Sequence, residues 1–106
     1  MTFHDDKLWQ EAFTALLDVL ELTEGEDSDL SSKVRKHAMK TLTEVGQAVA
    51  NRDRKFRDIK LRTVGTGDIV SLRSLLSVMW AREMLSDDDF AKIDGAYEAL
   101  ANKLPR

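Results

Sequence analysis

The sequence predicts an all-α protein built as an antiparallel, up-down-up-down four-helix bundle, on three observations. Apolar residues recur at three- and four-residue steps in four separate stretches, the period of an amphipathic helix. One proline and five glycines in 106 residues leave little material for the many turns of a β protein. Short connections join the stretches, and short connections make consecutive helices antiparallel neighbours.

The first helix is expected over residues 5–23, where Leu8, Trp9, Ala12, Phe13, Leu16, Leu17, Val19 and Leu20 form an unusually wide apolar arc. Glu24-Gly25-Glu26-Asp27-Ser28 stops it. Gly25 suits a C-terminal cap, and Asp27 or Ser28 can accept a bond from the free N–H groups of the next helix. The second helix, residues 29–51, sets Leu30, Val34, Ala38, Leu42, Val45 and Val49 on one face and Lys33, Lys36 and Lys40 on the other. After a connection at Asn51-Arg52-Asp53-Arg54-Lys55, a third helix is expected over 54–85. Its core stripe is Ile69, Leu72, Leu76, Met79 and Trp80, widened by Val64, Leu75 and Val78. Gly65-Thr66-Gly67 is its weak point, because each glycine costs roughly 1 kcal/mol relative to alanine inside a helix. A kink, a break or a close helix approach would each answer that weakness. Ser86 with Asp89 resembles a capping box and opens a last helix over 87–103, with Phe90, Ile93, Tyr97, Leu100 and Leu104 in three-four spacing before Pro105. The side chains expected inside are Trp9, Phe13, Leu16, Leu20, Val34, Leu42, Val45, Ile69, Leu72, Leu76, Phe90, Ile93, Tyr97 and Leu100.

A chain of this length is one ordinary domain, residues 1–106, able to bury a core without cross-links. No cysteine is present, which excludes a disulfide framework, a thiolate metal site and a thiol nucleophile. Met1 to Asp6 lack the basic and apolar regions of a signal peptide, and no run approaches the roughly 18 apolar residues that span a bilayer. A cytoplasmic protein without membrane contact is the expectation. The net charge of −3 conceals three blocks. Residues 1–32 hold nine acids and one base, residues 33–62 ten bases and three acids, and residues 63–106 five bases and seven acids. Such blocks mark either a basic patch for phosphate or a chain whose acidic and basic parts complement one another within or between subunits.

With the helices placed, the sequence resembles the four-helix-bundle family encoded within 23S ribosomal RNA intervening sequences, to which the accessory proteins of diversity-generating retroelements are related. Phe3 with Leu8-Trp9-Gln10 is similar to that family's opening Phe and Val-Trp-Gln, and Leu22-Thr23 to its Leu-Thr end of the first helix. Val34-Arg35-Lys36-His37-Ala38 stands where members read Leu-Arg-Arg-Ala-Ala. The stretch Gly67 to Leu76 is similar to the family's Gly-Ser-Leu-x-Glu-Leu-x-x-x-Leu, and Leu85-Ser86 follows before the final helix. The family's Asn-Ile-Ala-Glu-Gly is replaced here by Gln47-Ala48-Val49-Ala50-Asn51. The resemblance implies a four-helix bundle that assembles as a homo-oligomer, in that family a pentameric ring. Through the retroelement relatives it also implies binding of RNA or DNA and of a protein partner.

The candidate partner-binding residues are Lys33, Arg35, Lys36, Lys40, Arg52, Arg54, Lys55, Arg57, Lys60 and Arg62, because clustered positive charge is what phosphate neutralisation needs. The competing reading is a solvated face paired with the acids of residues 5–29. Only Phe56 lies within the cluster, so the interleaved aromatics of a single-strand platform are missing. His4-Asp5-Asp6 reads as an exposed acidic terminus rather than a metal site, since no second histidine sits at i+4. Asp87-Asp88-Asp89 reads as charge favouring a helix start, without the glycine and distal glutamate of a calcium loop. Gly65-Thr66-Gly67-Asp68 lacks the Gly-Lys-Ser/Thr of a phosphate loop. Trp9 and Trp80 fall on core stripes, and His37 flanks the core face of the second helix. No nucleophile, base and orienter come together, so neither enzyme activity, cofactor, metal nor small-molecule substrate is expected. The expected function is a non-enzymatic, homo-oligomeric adaptor that presents a charged surface to a macromolecular partner. Its rival is a nucleic-acid-binding accessory protein that uses residues 33–62.

Overall fold

In the computed structural model, which describes residues 2–106, a 3₁₀ turn (Phe3–Asp5) leads into α1 (Lys7–Leu22), α2 (Asp29–Val49) and α3 (Arg54–Thr63). A π-helical turn (Val64–Asp68) joins α3 to α4 (Ile69–Ala81), and α5 (Asp87–Asn102) closes the chain. There is no strand among the described residues. The helix starts follow local chemistry. Asp6 accepts from the Leu8 and Trp9 amides, Asp53 from Lys55 and Phe56, and Ser86 from Asp89. Ser28 and Ser31 cap each other reciprocally at the start of α2. Each cap satisfies N–H groups that the first helical turn leaves without partners.

The third helix differs from expectation in two places. It ends at Ala81 rather than Leu85, because Glu83 adopts φ +61° and the chain reverses. The Met84 amide donates to the Met79 carbonyl at 2.8 Å and the Glu83 amide to Trp80 at 3.0 Å, the paired bonds of a Schellman cap with glutamate where glycine is usual. At Val64–Asp68 the chain neither kinks nor breaks. The Ile69 amide donates to the Val64 carbonyl, inserting one extra residue into the turn. This π-turn leaves Val64, Asp68 and Ile69 all buried. Gly65 lies against Leu104, whose Cδ1 would be 3.4 Å from an added Cβ.

Helix α1 packs on α2 and α5, and α4 packs on the same two, while α3 lies along α2. Trp9 near the start of α1 touches Gly46 near the end of α2, and Arg35 near the start of α2 reaches Thr23 just past the end of α1. Trp80 at the end of α4 meets Phe90 at the start of α5. Glu11 of α1 pairs with Lys103 just past the end of α5. The core runs through Val19, Val34, Val45, Ile69, Leu72, Leu76, Ile93, Tyr97 and Leu100. Leu16 joins it.

Six expected core residues stand differently. Phe13 and Leu20 are exposed, because α1 approaches its neighbours through Ala12, Ala15, Leu16 and Val19, and its arc is wider than those neighbours cover. Trp80 is also exposed. It sits in the last turn of α4, stacked on Phe90 at 4.9 Å, with its indole N–H donating to Asp87 at 2.7 Å. Trp9, Leu42 and Phe90 are half-buried at the rim. Val78, expected to widen the stripe, is exposed as well. No helix among the described residues is long and apolar enough to cross a membrane.

Candidate functional site

The basic segment does not form one continuous patch. Lys33 pairs with Asp29, one turn back, at 3.1 Å. Arg35 donates from its guanidinium to the Thr23 and Glu26 carbonyls at 3.3 and 3.2 Å, clamping the α1–α2 connection onto α2. Lys40 stands between Glu44 at 4.0 Å and Asp68 at 3.5 Å, and Lys60 shares a cavity with Glu44. The other six cations, Lys36, Arg52, Arg54, Lys55, Arg57 and Arg62, form no ion pair among the described residues.

Three of these six converge. The Asp53 cap starts α3 immediately after the connection, which sets Arg54 and Arg57 one turn apart on the same side as Arg52. Together with Asn51 and Asp58 they line an open cavity of about 510 Å³. Arg52, Arg54 and Arg57 thus concentrate at the end of α2, whereas Lys33 and Arg35 lie near its start, about four turns from that end.

The π-turn creates a feature absent from the expected site. It carries Asp68 inward against α2, beside Glu44, the only acid in α2 after Asp29. The neighbouring Asp68 carboxyl, and next the burial of the site, raise the Glu44 carboxyl above its ordinary range, against the opposing charges of Lys40 and Lys60. Oε2 of Glu44 is buried without a hydrogen-bond partner. The signal available in sequence was a glycine on each side of Thr66 just ahead of an acid, but the partner Glu44 lies 24 residues away and only packing brings the two together.

A second feature is aromatic. Trp9 lies over Gly46, where an added Cβ would meet its ring at 3.3 Å. Phe3 meets Trp9 edge-on at 5.6 Å, and Phe13 stacks on Trp9 at 5.0 Å. A groove of about 490 Å³ opens beside this cluster, lined by Phe3, Trp9, Leu42, Thr43, Gly46, Gln47 and Ala50. His4 stacks on Phe3 at 4.0 Å, and Asp6 is committed to capping α1, so His4, Asp5 and Asp6 do not converge. Asp87 accepts from Trp80, and its neighbours Asp88 and Asp89 occupy the first turn of α5. His37 is half-buried, with Nδ1 unpartnered and its carbonyl accepting from the Thr41 hydroxyl. Tyr97 is fully buried, and burial followed by the Asp18 charge raises its phenol well above the ordinary value.

These arrangements can bind and pack. The arginine cavity offers planar donors to an anion, and the Trp9 groove offers an apolar seat. No protein-family model matches the chain, and no curated protein or solved structure matches it significantly.

Proposed function

We propose that the chain is a non-enzymatic, homo-oligomeric adaptor, a four-helix module that packs against copies of itself and presents a charged surface to a macromolecular partner. The observation that carries this reading is the apolar surface left uncovered: Phe13, Leu17 and Leu20 share one side of α1, and Met39, Phe56 and Ile59 stay exposed on α2 and α3. Single exposed apolar residues are ordinary, but a contiguous stripe on a small protein marks an interface. Light scattering at micromolar protein and moderate salt tests it, with a mass above one copy expected and a monomer mass overturning it.

The second reading, a nucleic-acid-binding accessory protein, is favoured by Arg52, Arg54 and Arg57 facing one cavity without acidic ion-pair partners. Binding through phosphates releases counterions, so affinity would fall steeply between about 50 and 200 mM salt. Charge reversal at Arg52, Arg54, Lys55 and Arg57 would abolish it with the fold intact. A gel-shift titration with structured RNA, single-stranded DNA and duplex DNA decides. No shift at low salt with any of the three leaves the adaptor reading alone.

A further inference from the structure

We infer that the side of the bundle formed by α1, α2 and α3 pairs with the same side of a second copy, across a two-fold axis passing α2 between Thr41 and Leu42. The inference rests on the homo-oligomer reading above and names the surface that carries it. Of the ten large apolar side chains left exposed among the described residues, all but Val70, Val78 and Trp80 lie on this side. The placement follows from contacts. Phe13 stacks on Trp9, which sits on Gly46 of α2. Leu20 lines one cavity with Arg35 of α2, and Met39 follows Arg35 by one turn. Phe56 and Ile59 share a cavity with Glu44, on the other flank of α2.

Charge selects the occupant. Glu21 and Glu24 follow Leu17 and Leu20 by one turn, and neither forms an ion pair among the described residues. Lys55 precedes Ile59 by one turn and is likewise without an acid partner. These acidic and basic groups lie toward opposite ends of α2, about 30 Å apart for 21 helical residues. A two-fold operation turns the second copy end for end, so the acidic end of each copy lies over the basic end of the other and the complementary contact forms twice. Along α2 the same operation sets Lys36 and Lys40 opposite the partner's uncharged Thr43 and Gln47, so no like charges are opposed. A body 43 Å long and 24 Å wide presents at most about 1,000 Å² on one side, the same order as the roughly 800 Å² per partner of a standard interface. Apolar contact supplies the affinity and the paired charges fix the orientation.

The chain contains no cysteine, so single-cysteine variants report geometry directly. Thr43→Cys lies on the α2 ridge near the axis and is expected to give a disulfide-linked dimer on mild oxidation, because only an isologous contact brings a residue near its own copy. Val70→Cys on α4 is expected to stay uncrosslinked under the same conditions. Ile59→Asp, at a side chain that is 52% exposed, is expected to yield a monomer of unchanged helicity by circular dichroism. Glu21→Lys with Glu24→Lys, and Arg54→Glu with Lys55→Glu, are each expected to weaken association, and mixing the two double variants is expected to restore it. A wild-type mass above one copy without Thr43→Cys cross-linking, or a dimer that survives Ile59→Asp, overturns the two-fold pairing while leaving self-association standing. A wild-type monomer overturns both.

Discussion

On the α4–α5 side, Arg73 donates to both oxygens of Asp94 at 2.8 and 3.0 Å and to Glu98 at 3.2 Å, and the exposed Trp80 is stacked and hydrogen-bonded. On the α2–α3 side, Arg52, Arg54, Lys55 and Arg57 have no acid partner among the described residues, and Phe56 and Ile59 lie open to solvent. Arg73 and Trp80 are thus partnered within the chain on one side, while the cations and apolar residues that open α3 are left unpartnered on the other. The difference lies in register. Two long helices crossing over four turns bring acids opposite bases, whereas α3 is ten residues long with one buried residue, Leu61, and covers too little of α2 to complete such pairs. A surface whose groups are satisfied internally has little to offer a partner, so the α2–α3 side is where the functional reading falls.

The largest break in this contrast comes from the core. Leu76→Ala, at a residue 1% exposed on α4, is expected to cost about 2–5 kcal/mol in denaturant unfolding through the cavity it leaves. The next effect is a gain. Glu83→Gly removes the left-handed strain at the α4–α5 connection, where φ is +61°, and is expected to stabilise the protein by about 1 kcal/mol. Thermal unfolding checks the sign, and a loss would mean that the Glu83 side chain contributes more than the strain costs. Arg73→Ala is expected to cost about 0.5–1 kcal/mol, because a third of the side chain is exposed and solvent screening reduces what the bidentate pair contributes. Ile59→Ala, on the opposite side, is expected to change the unfolding free energy of the dissociated chain by no more than about 0.5 kcal/mol. A larger loss would show that Ile59 belongs to the monomer's core.

The smallest effect is pH-dependent and sits at the π-turn. Glu44 holds its proton more tightly when folded than when unfolded. The folded state therefore binds more protons between the ordinary glutamate value and the raised one, and stability falls as pH rises through that window. Above it the charged form of Glu44 is present, which the neighbouring Asp68 and burial disfavour. Glu44→Gln is expected to flatten this slope and to raise stability slightly at neutral pH. Unfolding titrations from pH 4 to 8 on both proteins test this, and an unchanged slope would remove the coupling between Glu44 and Asp68.

Much of this fold was legible in the residues. Caps are local, so Ser28 and Ser86 could be read as helix starts, and the three-four spacing located every helix to within about four residues. The arc of α1 could also be read, but its meaning could not. Phe13 and Leu20 are as apolar as Leu16, and only the approach of α2 and α5 through Ala12 and Ala15 decides which of them is covered. The glycine pair in the third helix announced an irregularity without its form.

The sequence by itself determined the four helical stretches and their amphipathic character, together with the division of the chain into acidic and basic blocks. These follow from caps and periodicity, whose interactions span a few residues. Only the tertiary structure decided that Lys40 would bridge Glu44 and Asp68, that Arg35 would clamp the α1–α2 connection, and that Arg52, Arg54 and Arg57 would share one cavity. Those outcomes depend on the rotation of each helix about its axis and on the extra residue of the π-turn. Packing sets both across separations that no local pattern encodes.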